Sequence, residues 1–254
     1  MVNELPPRSR AARDAAERAL MRVAHHYGGT PEFVVLGGLV PELLCTGSEF
    51  RHAGTIDVDV QVGLEIACGA VNAARLEQAL RNAGFAPEGA TIWRWVADGT
   101  VCTPIVKFEL LADLDDQPAE ATIAFDACDQ LGAVNLRGTG FAARDFEVRE
   151  LKARDGDVTR TAEVKVSGLA GFLLAKTAAA LSRLKPKDWY DIAFVLLHND
   201  AGGTAAAAAS ARGRFSGKIA ALRTAINDLQ ANFQDLDAPR NAGIRHPDAH
   251  GPSG

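Results

Sequence analysis

The chain has 254 residues, 47% of them hydrophobic, which is enough to bury one large core or two smaller ones. No apolar run is long enough to span a bilayer, residues 1–13 are charged rather than signal-like, and the four cysteines are widely spaced, so we expect a cytoplasmic protein without a disulfide framework or a membrane partner. The net charge of −5 is uneven: residues 1–150 hold 13 Lys and Arg against 22 Asp and Glu, whereas residues 151–254 hold 14 against 10, so the second part is the expected anion-facing surface.

Hydrophobic periodicity predicts alternating helices and strands in the first two-thirds of the chain. Helices are predicted at residues 11–27, 39–44 and 71–83, and strands at residues 33–36, 55–60, 92–97, 104–111, 122–125 and 146–151. Several of these elements end at glycine or proline, as turns and helix ends do.

The pattern becomes helical from residue 166 onward. Helices are predicted at residues 169–184, 188–198 and 219–233, while the alanine-rich residues 205–211 fit either a helix or a simple tether. We therefore predict an α+β fold with an α/β-type core and a mixed β-sheet (residues 1–165), a C-terminal helical lobe (166–236) and a disordered tail (237–254).

Two carboxylates are expected on one face of the second strand. Asp57 and Asp59 alternate with Ile56, Val58 and Val60, so the aspartates point to one side and the apolar residues point into a core. Paired carboxylates repel each other unless a cation lies between them, and oxygen ligands suit Mg²⁺ or Mn²⁺. The pattern predicts a metal site.

A glycine pair precedes this strand, between the first predicted strand and a helix. Such a turn exposes backbone N–H groups that can hold phosphate, so Gly37 and Gly38 are candidate phosphate-binding residues. Either pattern alone is common in ordinary turns and strand edges, but their order and spacing together favour nucleotide chemistry.

A third motif follows in the helical part of the chain. Lys176 lies on a predicted helix and is followed by the basic stretch 183–187 and by Asp188 and Asp191. Together with the Gly-Gly turn and the Asp-x-Asp strand, it makes the chain resemble the nucleotidyltransferase superfamily, and more closely the AbiEii-type nucleotidyltransferase-like toxins. The resemblance covers about residues 33–197.

The resemblance implies roles for individual residues. Asp57 and Asp59 would bind the metal, with Glu109 as the first-ranked third ligand ahead of Asp113 and Asp126. Lys176 would reach the triphosphate, although a lysine extending to solvent fits the same spacing. Of Asp188 and Asp191, at least one would orient Lys176 or the base; the alternative is a helix cap for Asp188 and a favourable first-turn charge for Asp191.

Two residues flanking the acidic strand complete the candidate site. Arg51 and Thr55 match positions that commonly precede Asp-x-Asp in the family, although Arg51 lies further away than usual and fits a solvated loop equally well. Gly38 stands where many nucleotidyltransferases have serine, which removes a hydroxyl contact to phosphate and leaves nucleotide-sugar or weak nucleotide binding open.

The resemblance implies transfer of a nucleoside monophosphate from a nucleoside triphosphate (NTP) such as ATP to an acceptor hydroxyl, with Mg²⁺ or Mn²⁺. In related toxins the acceptor can be the 3′ end of tRNA, and a cognate antitoxin neutralises the toxin. The alternatives are nucleotidyl transfer to a small molecule or a protein, and a catalytically silent nucleotide-binding module. Intact Asp57 and Asp59 argue against the silent module.

Overall fold

The computed structural model describes residues 8–63, 70–97, 105–183 and 185–218, together with residues 223 and 227. The helices among these residues are α1 (Arg10–Tyr27), α2 (Val40–Leu44), α3 (Ala70–Asn82), α4 (Gly140–Arg144), α5 (Leu169–Arg183), α6 (Pro186–His198) and α7 (Thr204–Arg214). The strands are β1 (Phe33–Leu36), β2 (Asp57–Val62), β3 (Phe85–Glu88), β4 (Thr91–Ala97), β5 (Lys107–Ala112), β6 (Thr122–Ala124), β7 (Gly132–Asn135), β8 (Phe146–Asp155) and β9 (Val158–Ser167). The predicted α+β fold is confirmed.

All the strands belong to one mixed sheet. Its main path runs β3-β4-β5-β2-β1-β9-β8, while β7 pairs with β5 and β6 pairs with β7. The pairs β1–β9, β2–β5 and β5–β7 are parallel, and the others are antiparallel. The predicted acidic strand is therefore central, with neighbours on both sides.

Alternation along β1 divides its side chains between two apolar clusters. Phe33 and Val35 lie in the main core with residues of α1 and α3, whereas Val34 and Leu36 lie in a second cluster with Ala142 of α4. Because successive strand residues point to opposite faces, β1 needs apolar residues throughout, and all four are buried.

Local signals fix both ends of α1. The Ser9 side chain accepts a hydrogen bond from the Ala12 backbone N–H at 3.1 Å, as an N-cap does. Gly28 ends the helix at φ 72°, in the left-handed region that glycine tolerates best.

The C-terminal helices share the core of the sheet. Phe172 of α5 and Trp189 and Ile192 of α6 belong to the same apolar cluster as Val58 and Val60 of β2. A small additional cluster joins α5 to α7 through Ala170, Leu174, Ala211 and Phe215. The helical part is therefore packed onto the sheet rather than built around a separate main core.

Three strands and one short helix were not predicted from the sequence: β3, β7, β9 and α4. Strand β9 continues to Ser167, two residues beyond the predicted boundary at 165, and forms a long antiparallel hairpin with β8. The alanine-rich segment is helical, within α7. The predicted helix at 219–233, apart from residues 223 and 227, and the predicted tail at 237–254 lie outside the described residues.

Within the described ranges, no helix combines the length and apolar character needed to cross a membrane.

Candidate active site

Three carboxylates lie close together at the centre of the sheet. Asp57 and Asp59 lie on β2, and Glu109 on β5 is the register partner of Asp59 across a parallel pairing. Register partners point to the same face, so Asp59 and Glu109 are neighbours on it. The intervening Val58 is fully buried on the other face, as the sequence pattern predicted.

This crowding changes the acidity of Asp59. Burial, followed by the charges of Glu109 and Asp57, raises the pKa of Asp59 to about 7, while Lys176 and Lys187 act in the opposite direction. The negative charge at this point is therefore only partly compensated by the protein, and a cation placed here would be stabilised.

The glycine turn fits closely around this strand. Gly37 has φ 75°, and a Cβ atom on it would lie 1.9 Å from Oδ2 of Asp59. A Cβ on Gly38 would lie 2.7 Å from Cβ of Thr55, whose Oγ1 accepts a hydrogen bond from the Asp57 N–H at 3.1 Å. The absence of a side chain on the two glycines therefore lets the turn approach the acidic strand. Thr55 packs against Gly38 and also accepts the hydrogen bond from the Asp57 N–H.

Opposite the carboxylates, helices α5 and α6 form a network of ion pairs around the buried side chains of Asp188 and Asp191. Nζ of Lys176 lies 2.9 Å from Oδ1 of Asp188 and 2.9 Å from Oδ2 of Asp191. Arg183 makes a two-pronged contact with Asp188 through Nε at 2.8 Å and Nη2 at 2.9 Å. Lys176 is only 6% exposed, so the alternative in which it extends to solvent is wrong.

The network also reaches the N-terminal part of the chain. Oδ1 of Asp191 lies 2.9 Å from Nε2 of His52 and 2.9 Å from Nη2 of Arg8. Residues distant in sequence are thus brought together around one carboxylate. Asp188 does not cap α6, because Lys185 occupies the N-cap position and the Asp188 side chain binds Lys176 and Arg183 instead.

These ion pairs favour the charged forms of their members. Burial alone would lower the pKa of Lys176, but Asp191 and Asp188 outweigh it and raise that pKa. Burial would raise the pKa of both aspartates, yet Lys176 and their other hydrogen-bond donors hold each pKa below its usual value. At neutral pH Lys176, Asp188 and Asp191 are therefore all ionised.

A cleft of about 460 Å³ separates the carboxylates from the basic residues. Leu36, Gly37, Asp59 and Glu109 line it from the sheet, and Lys176 and Arg183 line it from α5. Its remaining lining is mostly apolar: Leu111, Leu136, Thr139, Phe172, Ala175 and Ala179. A further cavity of about 310 Å³ near Tyr27 is lined by neither Asp57 nor Asp59, and by neither of the basic residues of α5 that line the cleft.

The acidic face fits a divalent cation that takes some of its ligands from the protein and the others from a substrate. Among the residues the structure describes, no three His, Cys, Asp or Glu side chains form a ready-made metal cage. Glu109 is also engaged, because Nε of Arg94 lies 2.7 Å from its Oε1. Mg²⁺ commonly binds through one or two carboxylates plus substrate phosphates, and Asp57 and Asp59 fit that arrangement.

Asp113 and Asp126, the alternative candidates for a third metal ligand, do not line the cleft. Oδ2 of Asp113 accepts hydrogen bonds from the Gly138 and Gly140 N–H groups, both at 3.0 Å, and Asp126 is exposed. Asp113 therefore holds the turn at the start of α4. Arg51 is also exposed, and it does not line the cleft.

The comparison with protein families bears on the helical half of this site. Residues 129–246 match the family described as nucleotidyl transferase AbiEii toxin, type IV TA system. The similarity to this family therefore covers these residues, which are less than half of the chain. The AbiEii match includes Lys176, Asp188 and Asp191, whereas Asp57 and Asp59 precede it.

A solved structure extends the likeness in fold beyond the AbiEii match. The crystal structure of an antigenic nucleotidyltransferase-like protein from Paracoccidioides brasiliensis is similar with a TM-score of 0.50 at 17% sequence identity. The similarity covers 95% of this chain and 97% of that one. At this identity the likeness shows a nucleotidyltransferase-like fold. A comparison with curated proteins found no match.

Three residues outside the predicted site stand out in the geometry. Arg183 and Lys187 belong to the basic stretch that carried the AbiEii resemblance; Arg183 lines the cleft, and Nζ of Lys187 lies 3.9 Å from Oδ2 of Asp57. Spacing along α5 places Arg183 seven residues after Lys176, two helical turns on the same side, which is a signal that could have found it. His52 lies in a loop and has no comparable signal.

Proposed function

We propose that the protein transfers a nucleoside monophosphate from an NTP to an acceptor hydroxyl, with Mg²⁺ or Mn²⁺ as cofactor. The observation that carries this proposal is the cleft itself, with Asp59 on its sheet wall and Lys176 and Arg183 on its helix wall. Opposed acidic and basic walls suit a metal-bound triphosphate. The AbiEii match and the nucleotidyltransferase-like fold support the same activity.

In this proposal the two walls have different tasks. Asp57 and Asp59 hold the divalent cation, and Gly37 keeps the turn close enough for phosphate to approach the strand. Lys176 and Arg183 offset phosphate charge from the other side, with Lys187 at the rim near Asp57. When bound, the cation activates the acceptor oxygen and neutralises charge on the phosphates.

We further propose tRNA 3′ ends as the acceptor, with the protein acting as a cytoplasmic toxin that a cognate antitoxin neutralises. The AbiEii match supports the toxin–antitoxin assignment. The excess of basic over acidic residues in 151–254 supports an anionic acceptor.

The test is incubation of the protein with total RNA, Mg²⁺ and each of the four α-³²P-labelled NTPs. The Asp57→Asn variant removes one carboxylate charge from the acidic face, and Asp126→Asn is the matched control, because Asp126 is an exposed aspartate away from the cleft. We expect label on tRNA-sized RNA with the parent and Asp126→Asn, and none with Asp57→Asn or with excess EDTA.

Other outcomes would redirect or overturn the proposal. Label on protein or on a small molecule would change the acceptor while keeping nucleotidyl transfer. Binding of NTP without any transfer would support a silent nucleotide-binding module. Equal labelling by the parent and Asp57→Asn would overturn the assigned site. Expression of the parent should arrest bacterial growth and expression of Asp57→Asn should not, if the toxin assignment is correct.

A further inference from the structure

His52 is a buried histidine in the loop that leads into the acidic strand. Its side chain is fully buried, and its ring packs 5.2 Å, centroid to centroid, from both Tyr190 and Phe194 of α6. The ring is therefore held in one orientation by aromatic neighbours.

Hydrogen bonds determine which nitrogen of His52 carries the proton. The Gly54 backbone N–H donates to Nδ1 at 3.2 Å, so Nδ1 is an acceptor. Nε2 then carries the hydrogen and donates it to Oδ1 of Asp191 at 2.9 Å. His52 thus joins the backbone leading to Asp57 with the carboxylate that holds Lys176.

Asp191 divides its two oxygens between these partners. Oδ1 receives His52 and, from outside, Arg8, while Oδ2 lies 2.9 Å from Nζ of Lys176. Rotation of the Asp191 carboxylate would move the oxygen that holds Lys176. His52 is fully buried and ring-packed, whereas Arg8 retains 32% side-chain exposure, so His52 is the more rigid of the two anchors.

We propose that His52 is a positioning residue for nucleotidyl transfer: its Nε2–H fixes Asp191, which holds the Lys176 ammonium at the cleft wall where the triphosphate binds. The effect on nucleotidyl transfer rests on the proposed function, in which Lys176 contacts the triphosphate. The placement of Lys176 by Asp191 and His52 follows from the contacts themselves. Nothing in the sequence pattern around His52 indicated this role.

Two amide substitutions separate the two contacts of His52. In His52→Gln the longer side chain places an N–H near the former Nε2 and can reach Asp191, whereas in His52→Asn the amide reaches only the Nδ1 position near Gly54. His198→Asn is the control, because His198 packs against Phe194 in the same aromatic cluster, two helical turns beyond Asp191.

Binding of ATP, CTP, GTP and UTP would be compared with binding of the four nucleosides by calorimetry, alongside KM and kcat for transfer. We expect His52→Asn to weaken triphosphate binding and raise KM about tenfold, the equivalent of one charge-assisted hydrogen bond. Nucleoside binding should not change, and His52→Gln and His198→Asn should stay near the parent. Equal loss in both amide variants, no loss in either, or equal loss for nucleosides would overturn the inference.

A second measurement tests the placement of Lys176 without requiring any NTP binding or nucleotidyl transfer. Acetylation of Lys176 by an N-hydroxysuccinimide ester would be followed by peptide mass spectrometry, with exposed Lys185 as the internal reference. Faster acetylation of Lys176 in His52→Asn than in the parent, restored in His52→Gln, supports the positioning role even if no NTP binds. Unchanged acetylation in His52→Asn overturns it, whatever the transfer assay shows.

Discussion

Asp59 of β2 and Glu109 of β5 are register partners on neighbouring parallel strands, but among the residues that the structure describes an arginine forms an ion pair with Glu109 and none does with Asp59. Nε of Arg94 lies 2.7 Å from Glu109, while burial and the nearby carboxylates raise the pKa of Asp59 to about 7. The negative charge of Glu109 is therefore balanced by Arg94, whereas the charge of Asp59 is balanced only in part. We therefore expect an added cation to stabilise the ionised form of Asp59.

We predict that Asp59→Asn stabilises the metal-free protein at pH 8. An unfolded aspartate has a pKa near 3.9, so ionised Asp59 costs stability increasingly as pH rises from about 4 to 7, with the full cost above pH 7. The variant should gain on the order of 1 kcal/mol at pH 8 and nothing at pH 4, measured by urea unfolding in EDTA. A loss of stability at pH 8 would contradict this account of Asp59.

We predict that Mg²⁺ raises the melting temperature of the parent and has less effect on Asp59→Asn. A ligand that binds only the folded state stabilises it by mass action, and the variant lacks one ligand charge. Differential scanning fluorimetry across a Mg²⁺ series measures this difference. Asp126→Asn should respond as the parent does, because its side chain is exposed away from the cleft. Identical Mg²⁺ responses in all three proteins would argue against Asp59 as a ligand.

We predict that Gly37→Ala reduces transfer at least about tenfold. The new Cβ would meet Oδ2 of Asp59 at 1.9 Å and push that carboxylate aside. Gly89→Ala is the matched control, since Gly89 also has a positive φ, 63°, but nothing lies within 4 Å of its added Cβ. Both variants should lose about 1–2 kcal/mol from backbone strain, and only Gly37→Ala should lose activity. Equal activity in the two would show that the close approach is unimportant.

We predict different consequences for the two lysines that face the carboxylates. Lys176→Met leaves Asp188 and Asp191 buried without their shared ammonium, so it should cost about 2–4 kcal/mol of unfolding free energy. Lys187 is 40% exposed and 3.9 Å from Asp57, so Lys187→Met should change stability by less than about 0.5 kcal/mol. Urea unfolding gives the stability of each variant, and calorimetry should show weaker triphosphate binding in both.

The sequence was informative where burial and local spacing determine structure. The buried strand Phe33–Leu36 and the alternation of Asp57 and Asp59 with buried valines were both predictable. Strand β9 was missed because its outer half is exposed, so pairing with β8 rather than an apolar pattern stabilises it. Strand β3 was missed because Pro87 and its short length resemble a turn.

The site was predictable only in part, for a related reason. Asp-x-Asp and Gly-Gly are local patterns that a short sequence window contains. The bond from His52 to Asp191 spans 139 residues and depends on how a loop meets a helix. Likewise, the sequence alone did not decide whether the Lys176 side chain extends to solvent or lies at the cleft wall, because its partners Asp188 and Asp191 lie on the following helix. Long-range pairing of charges requires the folded chain.

We predict that the Asp191 network loses its stabilising effect in acid. Lys176 and His52 hold the pKa of Asp191 below its usual value, so its contribution is fully present above the unfolded pKa of about 3.9 and disappears as pH falls through the lower folded value. Asp191→Asn should therefore cost about 2–4 kcal/mol at pH 7, by urea unfolding, because Lys176 stays buried with one partner fewer.

The same comparison at pH 3 supplies the test of sign. The difference between the parent and Asp191→Asn should shrink there, because the Asp191 carboxylate of the unfolded parent is largely protonated at pH 3 while that of the folded parent stays ionised, which lowers the parent's free energy of unfolding. Asp126→Asn should match the parent at both pH values, since Asp126 is exposed. A cost for Asp191→Asn that stays constant or grows on acidification would show that the side chain acts through packing rather than through its charge on Lys176.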